Sequence, residues 1–349
     1  MEYRLTDLCE LIMGQSPDSS SCNKDGKGIP FYQGNADFGE KNPTPRNWCL
    51  QPKKIAQKDD ILISVRAPIG DLNIANEDCC IGRGVAAIRM KSKECDRDYL
   101  YLVLESKSKY LQDCGTGSTF TAINKGVLES LKVKCPELKN QTSIANEIEN
   151  IKAEIKYKYS ELICLNEAVQ SEFVEMFGNK NFPTQKWDSI FITKTGKLDS
   201  NAMVEGGKYP FFTCAKEIFS IDNYAFDQEA LLLAGNNAAG KYDVKYYKGK
   251  FNAYQRTYVL SLKEDWSYRL FQFQLEDKLL YLKEQSKGIN TKFLTLKILQ
   301  ELEFIIPPKE LQLKFETFVQ QIDKSKFVVK QQIADLQELL DSKMQEYFS

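Results

Sequence analysis

The sequence predicts an α+β protein in which one mixed unit is built twice, the two α/β copies joined by two long antiparallel helices that form a coiled-coil strut with a pseudo-two-fold internal repeat. Three observations predict it. The chain repeats itself at an offset of 171 residues: Gly117 falls on Gly288, Leu128 on Leu299, Pro136 on Pro307, Gln141 on Gln312, Leu165 on Leu336 and Phe177 on Phe348. Each copy ends in a stretch whose apolar residues alternate four and three apart, the spacing of a coiled-coil seam. Each copy begins with short apolar runs closed by Gly, Asn and Pro, which read as buried strands between turns.

The elements follow in order. Asp60–Val65 and Glu229–Ala234 are matched apolar runs, each leading into a glycine turn, Arg66 to Gly70 and Gly235 to Gly240. A second strand pair is expected at Val85–Ile88 and Thr257–Leu260, then helical patterns at about 97–112 and 268–285. Short strands at Leu131–Cys135 and Leu302–Ile306 stop at proline. After each proline the seam begins. In the first helix it runs through Ile144, Ile148, Ile151, Ile155, Leu162, Leu165, Val169 and Met176, interrupted by Lys158 and Glu172. In the second it runs through Phe315, Val319, Ile322, Val329, Ile333, Leu336, Leu340 and Tyr347, interrupted by Lys326 and Lys343. Two matching seams in one chain are explained more simply by mutual pairing than by two helices each packed on its own domain. The expected organisation is residues 1–140, a first helix 141–178, residues 179–308, and a second helix 309–349. A helix of about 30 residues is roughly 45 Å long, about thirteen base pairs of a DNA rod at ~3.4 Å each.

Composition excludes more than it proves. Lys plus Arg number 47 and Asp plus Glu 48, so the chain is not a uniformly basic nucleic-acid binder, although local basic patches are allowed. It contains 0 histidines, which removes histidine-based triads, general bases and metal sites. The 10 cysteines include no C-x-x-C pair, so neither a structural zinc site nor any other metal is expected. No phosphate-binding glycine loop appears, and no catalytic residue or cofactor is expected. The N-terminus does not resemble a signal peptide and no apolar run approaches a membrane span. A reduced, cytoplasmic protein without membrane association is the expectation.

The sharpest chemical signal is the stretch from Lys241 to Arg256, which holds five cations and five aromatics in sixteen residues. Within it Lys241, Lys245, Lys248 and Lys250 suit phosphates, and Tyr254, Gln255 and Arg256 suit base edges; a solvated hairpin with tyrosines packed on its own domain is the plain alternative. Lys216, Asn236 and Asn237 lie in neighbouring loops. In the first copy Arg83 occupies the matching place, with Arg66 one loop earlier and Gln33 and Asn35 after Pro30-Phe31-Tyr32. The turn Gly115–Thr121, with Ser118 and Thr119, and its counterpart Lys287–Lys292, with Asn290 and Lys292, are expected to open short helices whose amides meet phosphates. Ordinary helix capping would use the same residues.

With these residues in view, the two-fold pattern resembles the specificity subunits of type I restriction–modification systems, over essentially the whole chain. The resemblance is carried by Tyr209–Glu217, Tyr224–Asp227, Leu233–Asn236 and Lys248–Arg256, and more loosely by Gly14-Gln15-Ser16-Pro17 and Ile69-Gly70. It implies that each copy is a target-recognition domain reading one half of a bipartite double-stranded DNA site. It implies that the helices act as spacers docking two methyltransferase subunits, with restriction subunits joining later, and that this subunit has no catalytic chemistry. Two other readings stay open: a recognition subunit of another methylation-based defence or combined restriction–modification system, and a coiled-coil scaffold for protein partners.

Overall fold

In a computed structural model, residues 1–116, 121–178, 180–238, 240–288 and 290–348 are described. They form two compact units, Met1–Lys158 with Gln332–Ser349, and Tyr159–Gln331.

In the first unit the run Ile61–Ser64 sits inside a four-stranded antiparallel sheet, in the order Cys9–Met13, Val85–Met90, Ile61–Ser64, Leu72–Ile74. Ile61, Leu62 and Ile63 are all fully buried because both faces of the strand are covered, which is why the run is apolar without alternation. Ile61 and Ile63 face Tyr99, Leu100 and Val103 of the helix Arg97–Ser106. Leu62 faces the other way, with Tyr32, Val85 and Ala87. Behind that face lies a five-stranded sheet of very short strands, ordered Cys22–Asn23, Trp48–Cys49, Ile29–Tyr32, Cys79–Ile81, Ile55–Ala56.

The second unit repeats the plan with one difference. Its six-stranded sheet runs Phe191–Thr195, Thr257–Leu262, Phe226–Ala234, Val244–Ala253, Tyr209–Phe212, Phe219–Ile221. The single strand Val244–Ala253 pairs antiparallel with Phe226–Ala234 and, at its end, parallel with Tyr209–Phe212. The first unit divides that work between Leu72–Ile74 and Cys79–Ile81, the latter parallel to Ile29–Tyr32. Leu231 and Leu233 pack on Phe271 and Leu275 of the helix Tyr268–Asp277, while Leu232 packs with Phe212, Phe251 and Val259.

The helical patterns expected at 97–112 and 268–285 are each broken once, at Lys107 and Lys278. Asp96 caps the first, its carboxylate accepting the amides of Asp98 and Tyr99 at 3.0 Å each. Ser267 caps the second, its hydroxyl accepting from the Leu270 amide at 3.2 Å. Side-chain caps of this kind contribute about 1 kcal/mol.

The long helices are Leu138–Phe177 and Lys309–Phe348, 40 residues each and so about 60 Å long. All twenty seam positions named from sequence are buried or half-buried, including Lys158, Glu172, Lys326 and Lys343, whereas Tyr157, Ile163 and Phe327 between them are exposed. The first unit takes the start of the first helix and the end of the second; the second unit takes the end of the first and the start of the second. That exchange is what antiparallel pairing requires. In the first unit the Tyr347 hydroxyl donates to Glu147 at 2.8 Å and Lys343 lies 3.4 Å from the same carboxylate. In the second, Phe173 and Phe177 meet Phe315 with ring centroids 5.8 and 5.6 Å apart. The helices also serve the globular parts: Ile148 and Phe348 enter the first core, and Phe177 packs with Leu270 in the second unit.

Candidate nucleic-acid interface

In the second unit five loops are tied into one cluster by main-chain hydrogen bonds. The turn Tyr254–Arg256 joins Val244–Ala253 to Thr257–Leu262 and is closed by the Thr257 amide donating to the Tyr254 carbonyl at 2.8 Å. Around it, the Tyr254 amide donates to Phe212 O at 2.9 Å, the Gln255 amide to Leu198 O at 2.9 Å, and the Gly235 amide to Arg256 O at 2.8 Å. Leu294 donates to Gly235 O at 2.8 Å, which brings in the loop whose stem is the reciprocal pair Lys287 and Phe293. The main chain of the turn is thus braced on several sides, while the side chains of Gln255 and Arg256 are exposed.

The first unit builds the same net from different residues. Gly82 donates to Tyr32 O at 2.8 Å, Val85 to Gly82 O at 3.0 Å, Val65 to Gly84 O at 2.9 Å and Ile123 to Val65 O at 2.9 Å. Its outer stem is the reciprocal pair Thr116 and Ala122. Gly14 and Gly196 explain why the flanking loops approach so closely. A Cβ on Gly14 would lie 2.1 Å from the Gly82 carbonyl oxygen, and one on Gly196 would lie 1.9 Å from that of Ala253.

Most candidates read from sequence converge on these clusters. Gln33, Arg66 and Arg83 are exposed there in the first unit, and Lys216, Asn236, Asn237, Lys241, Tyr254, Gln255, Arg256, Asn290 and Lys292 stand on the loops of the second. Arg66, Lys216, Lys241, Arg256 and Lys292 make no ion pair among the described residues, which leaves their charges available to phosphate or base oxygens. Arg83 is steadied by its Nε donating to Ser16 Oγ at 3.3 Å. Ser118 and Thr119 lie outside the described residues.

Other candidates are committed elsewhere. Asn35 is half-buried and donates to Asp71 at 3.1 Å. Lys245 pairs with Asp243 and donates to Ala215 O at 2.9 Å, so it buttresses the loop that carries Lys216. Lys248 and Lys250 sit opposite Glu229 and Asp227 along the ladder, well before the strand end at Ala234. Lys248 lies 3.0 Å from Glu229, whose carboxylate holds the ammonium above the usual lysine range. The Lys250 ammonium stands 4.8 Å from the Tyr224 ring centroid. The helix-opening role expected of the two turns is corrected. The helix Lys125–Glu129 is capped by Asn124, which accepts from the Val127 amide at 3.2 Å, and Leu296–Gln300 starts after Thr295. The described turn residues form hairpin stems instead.

Lys197 and Gln15 were not singled out from sequence as contacts, yet each is exposed beside the turn its cluster is built on. The available signal was the glycine before each of them, just after the end of a strand. Burial pushes the thiols of Cys79 and Cys80, behind the first cluster, up to about 12, which makes them packing groups. Among the described residues no three His, Cys, Asp or Glu side chains are grouped to hold a metal ion, and no helix is long and apolar enough to cross a membrane.

Two mixed units, each presenting one main-chain-braced loop cluster and each sharing in a pair of long helices, define a duplicated α+β protein. The family model described as the type I restriction modification DNA specificity domain matches residues 1–163 and again 179–338, and the chain belongs to that family. Among curated proteins, the putative type I restriction enzyme MjaX specificity subunit of Methanocaldococcus jannaschii is 44% identical over 156 residues, 44% of this chain and 37% of the relative. The type I restriction enzyme EcoDI specificity subunit of Escherichia coli is 38% identical over 153 residues, 42% of this chain and 33% of the relative. The chain therefore aligns with about a third of the length of these relatives. The crystal structure of a type I restriction–modification system S subunit from M. genitalium matches 100% of this chain and 96% of its own with a TM-score of 0.68, at 16% identity, a likeness of fold.

Proposed function

We propose that this chain is the non-catalytic DNA-specificity subunit of a type I restriction–modification complex. Each loop cluster reads one half of a bipartite duplex site, the first through Gln33, Arg66 and Arg83, the second through Gln255, Arg256 and the lysines around them. The long helices set the distance between half-sites and dock two methyltransferase subunits, and restriction subunits join the assembly in the cytoplasm. The domains 1–140 and 179–308 are the two readers and 141–178 and 309–349 the spacers.

The observation that carries this reading is the repeated net: the same main-chain bonds brace two turns whose side chains differ at every matched position. Such a scaffold holds donors rigidly toward a groove while leaving their identity free, as separate recognition of two half-sites requires. The near-zero net charge fits a subunit that shares its phosphate grip with partners.

The test is the adenine methylome of the source cell with and without the gene. Loss of one split motif on deletion supports the reading. An unchanged methylome, with the methyltransferase expressed, contradicts it.

A further inference from the structure

The two long helices are fastened to their globular units by the same residue of the repeat. Gln141 is fully buried, and its side chain makes three hydrogen bonds. Its carbonyl oxygen accepts from the Asp96 amide at 2.8 Å, and its amide nitrogen donates to Glu94 O at 2.8 Å and Pro136 O at 2.7 Å. Gln312, 1% exposed, does the same in the second unit, accepting from the Ser267 amide at 3.0 Å and donating to Pro307 O at 2.8 Å. There the third carbonyl, Asp265 O, is taken by the Lys309 ammonium. In both units the glutamine stands one turn into the long helix, and the amide it accepts belongs to the residue that caps the recognition unit's own helix.

A buried amide is a demanding choice for such a joint. Leucine has similar volume and needs no partners, whereas an amide in a core is tolerated only when every donor and acceptor is met. What the amide adds is direction: bonds from one side chain to two separate segments fix the helix in rotation as well as in depth, and apolar contact does not. The lever is long. A tilt of about 3° at the base of a rod of about 60 Å moves its far end by about 3 Å, the rise of one base pair.

We propose that Gln141 and Gln312 are positioning residues that set the spacer length of the bipartite target, without reading any base. The proposal rests on the specificity-subunit reading above, and a wild-type methylome without a split motif would sink that reading before the variants are compared. The experiment compares methylomes of cells carrying the full complex with wild type, Gln141→Leu, Gln312→Leu and Gln141→Glu, the last keeping the acceptor but not the donor. The expected result is the same two half-sites in every strain. Sites whose spacer is one base pair longer or shorter become about tenfold more frequent in Gln141→Leu, and less so in Gln312→Leu, where Lys309 still holds its carbonyl. Spacing as strict as wild type in a complex that accumulates normally overturns the proposal, as does relaxation of the half-site bases themselves. Should Gln141→Leu fail to accumulate, Gln312→Leu and Gln141→Glu carry the comparison. If none of the three accumulates, the amides are stability elements and the proposal falls.

Discussion

The turn Gly82–Arg83–Gly84 and the turn Tyr254–Gln255–Arg256 occupy the same node of the same hydrogen-bond net and share no residue at matched positions. In the first unit the node is bare, one arginine between two glycines, with Arg66 the other unpaired cation among its described candidates. In the second it carries more charge, with Lys197, Lys216, Lys241, Lys287, Lys292 and Arg256 on the loops around the half-buried Tyr254. The duplicated part is the main-chain brace; the side chains it displays have diverged. The brace and the displayed side chains are thus different atoms of the same loops, and the proposed reading predicts that a displayed side chain can be removed without disturbing the brace, whereas breaking the brace disturbs both.

Attacking the brace has the largest effect. Gly196→Ala places a Cβ where the Ala253 carbonyl oxygen stands, so the loop must move, and the second unit should lose roughly 1–3 kcal/mol of stability together with its half-site. Thermal unfolding checks this, and Gly14→Ala is the matched case in the first unit. Removing a displayed side chain comes next. Arg256→Ala should weaken binding of the assembled complex by roughly 1–3 kcal/mol and relax one position of the second half-site, measured by titration against duplexes varied at that position. A smaller, sequence-independent effect is expected from Lys216→Ala with Lys241→Ala. Each lowers the dependence of log affinity on log salt by about 1 and leaves base preference unchanged; a shift in preference would move them from phosphates to bases.

The smallest effect lies outside the clusters, where the helices meet. The Tyr347 hydroxyl donating to Glu147, helped by Lys343, holds that carboxyl below its ordinary 4.5. Because the folded value is the lower one, the contribution is present above the unfolded value and is lost as pH falls through the folded one. Glu147→Gln should therefore melt slightly below wild type near about pH 6, and the gap should close in acid. A gap that persists in acid would assign the effect to packing.

How much of this was legible in the sequence follows from which residues repeat or alternate. Ile61–Ile63 and Leu231–Leu233 stood out because strands buried on both faces carry continuous apolar runs. The seam stood out because pairing demands one face over many turns, and even Lys158, Glu172, Lys326 and Lys343 proved to be half-buried. The second sheet of the first unit left no trace, since two-residue strands such as Cys22–Asn23 and Ile55–Ala56 have no period. In the loop clusters, composition pointed to Arg256 and Gln255, which are exposed on the braced turn, but also to Lys248 and Lys250, which share their cationic stretch yet face carboxylates or a tyrosine along the ladder. Composition has no register; the pairing of Val244–Ala253 with Phe226–Ala234 supplied it. Gln141 and Gln312 were visible as a repeated pair, and only their hydrogen bonds told what they do.

The central claim is that the two clusters read independently, and exchange of one reader tests it most directly. Residues 1–140 are replaced by the corresponding segment of another member of the family, and the methylome of the cell carrying the full complex is read. The account predicts a split motif in which one half is new, and the other half is the one recognised by the unaltered chain. A motif in which both halves change together would contradict it.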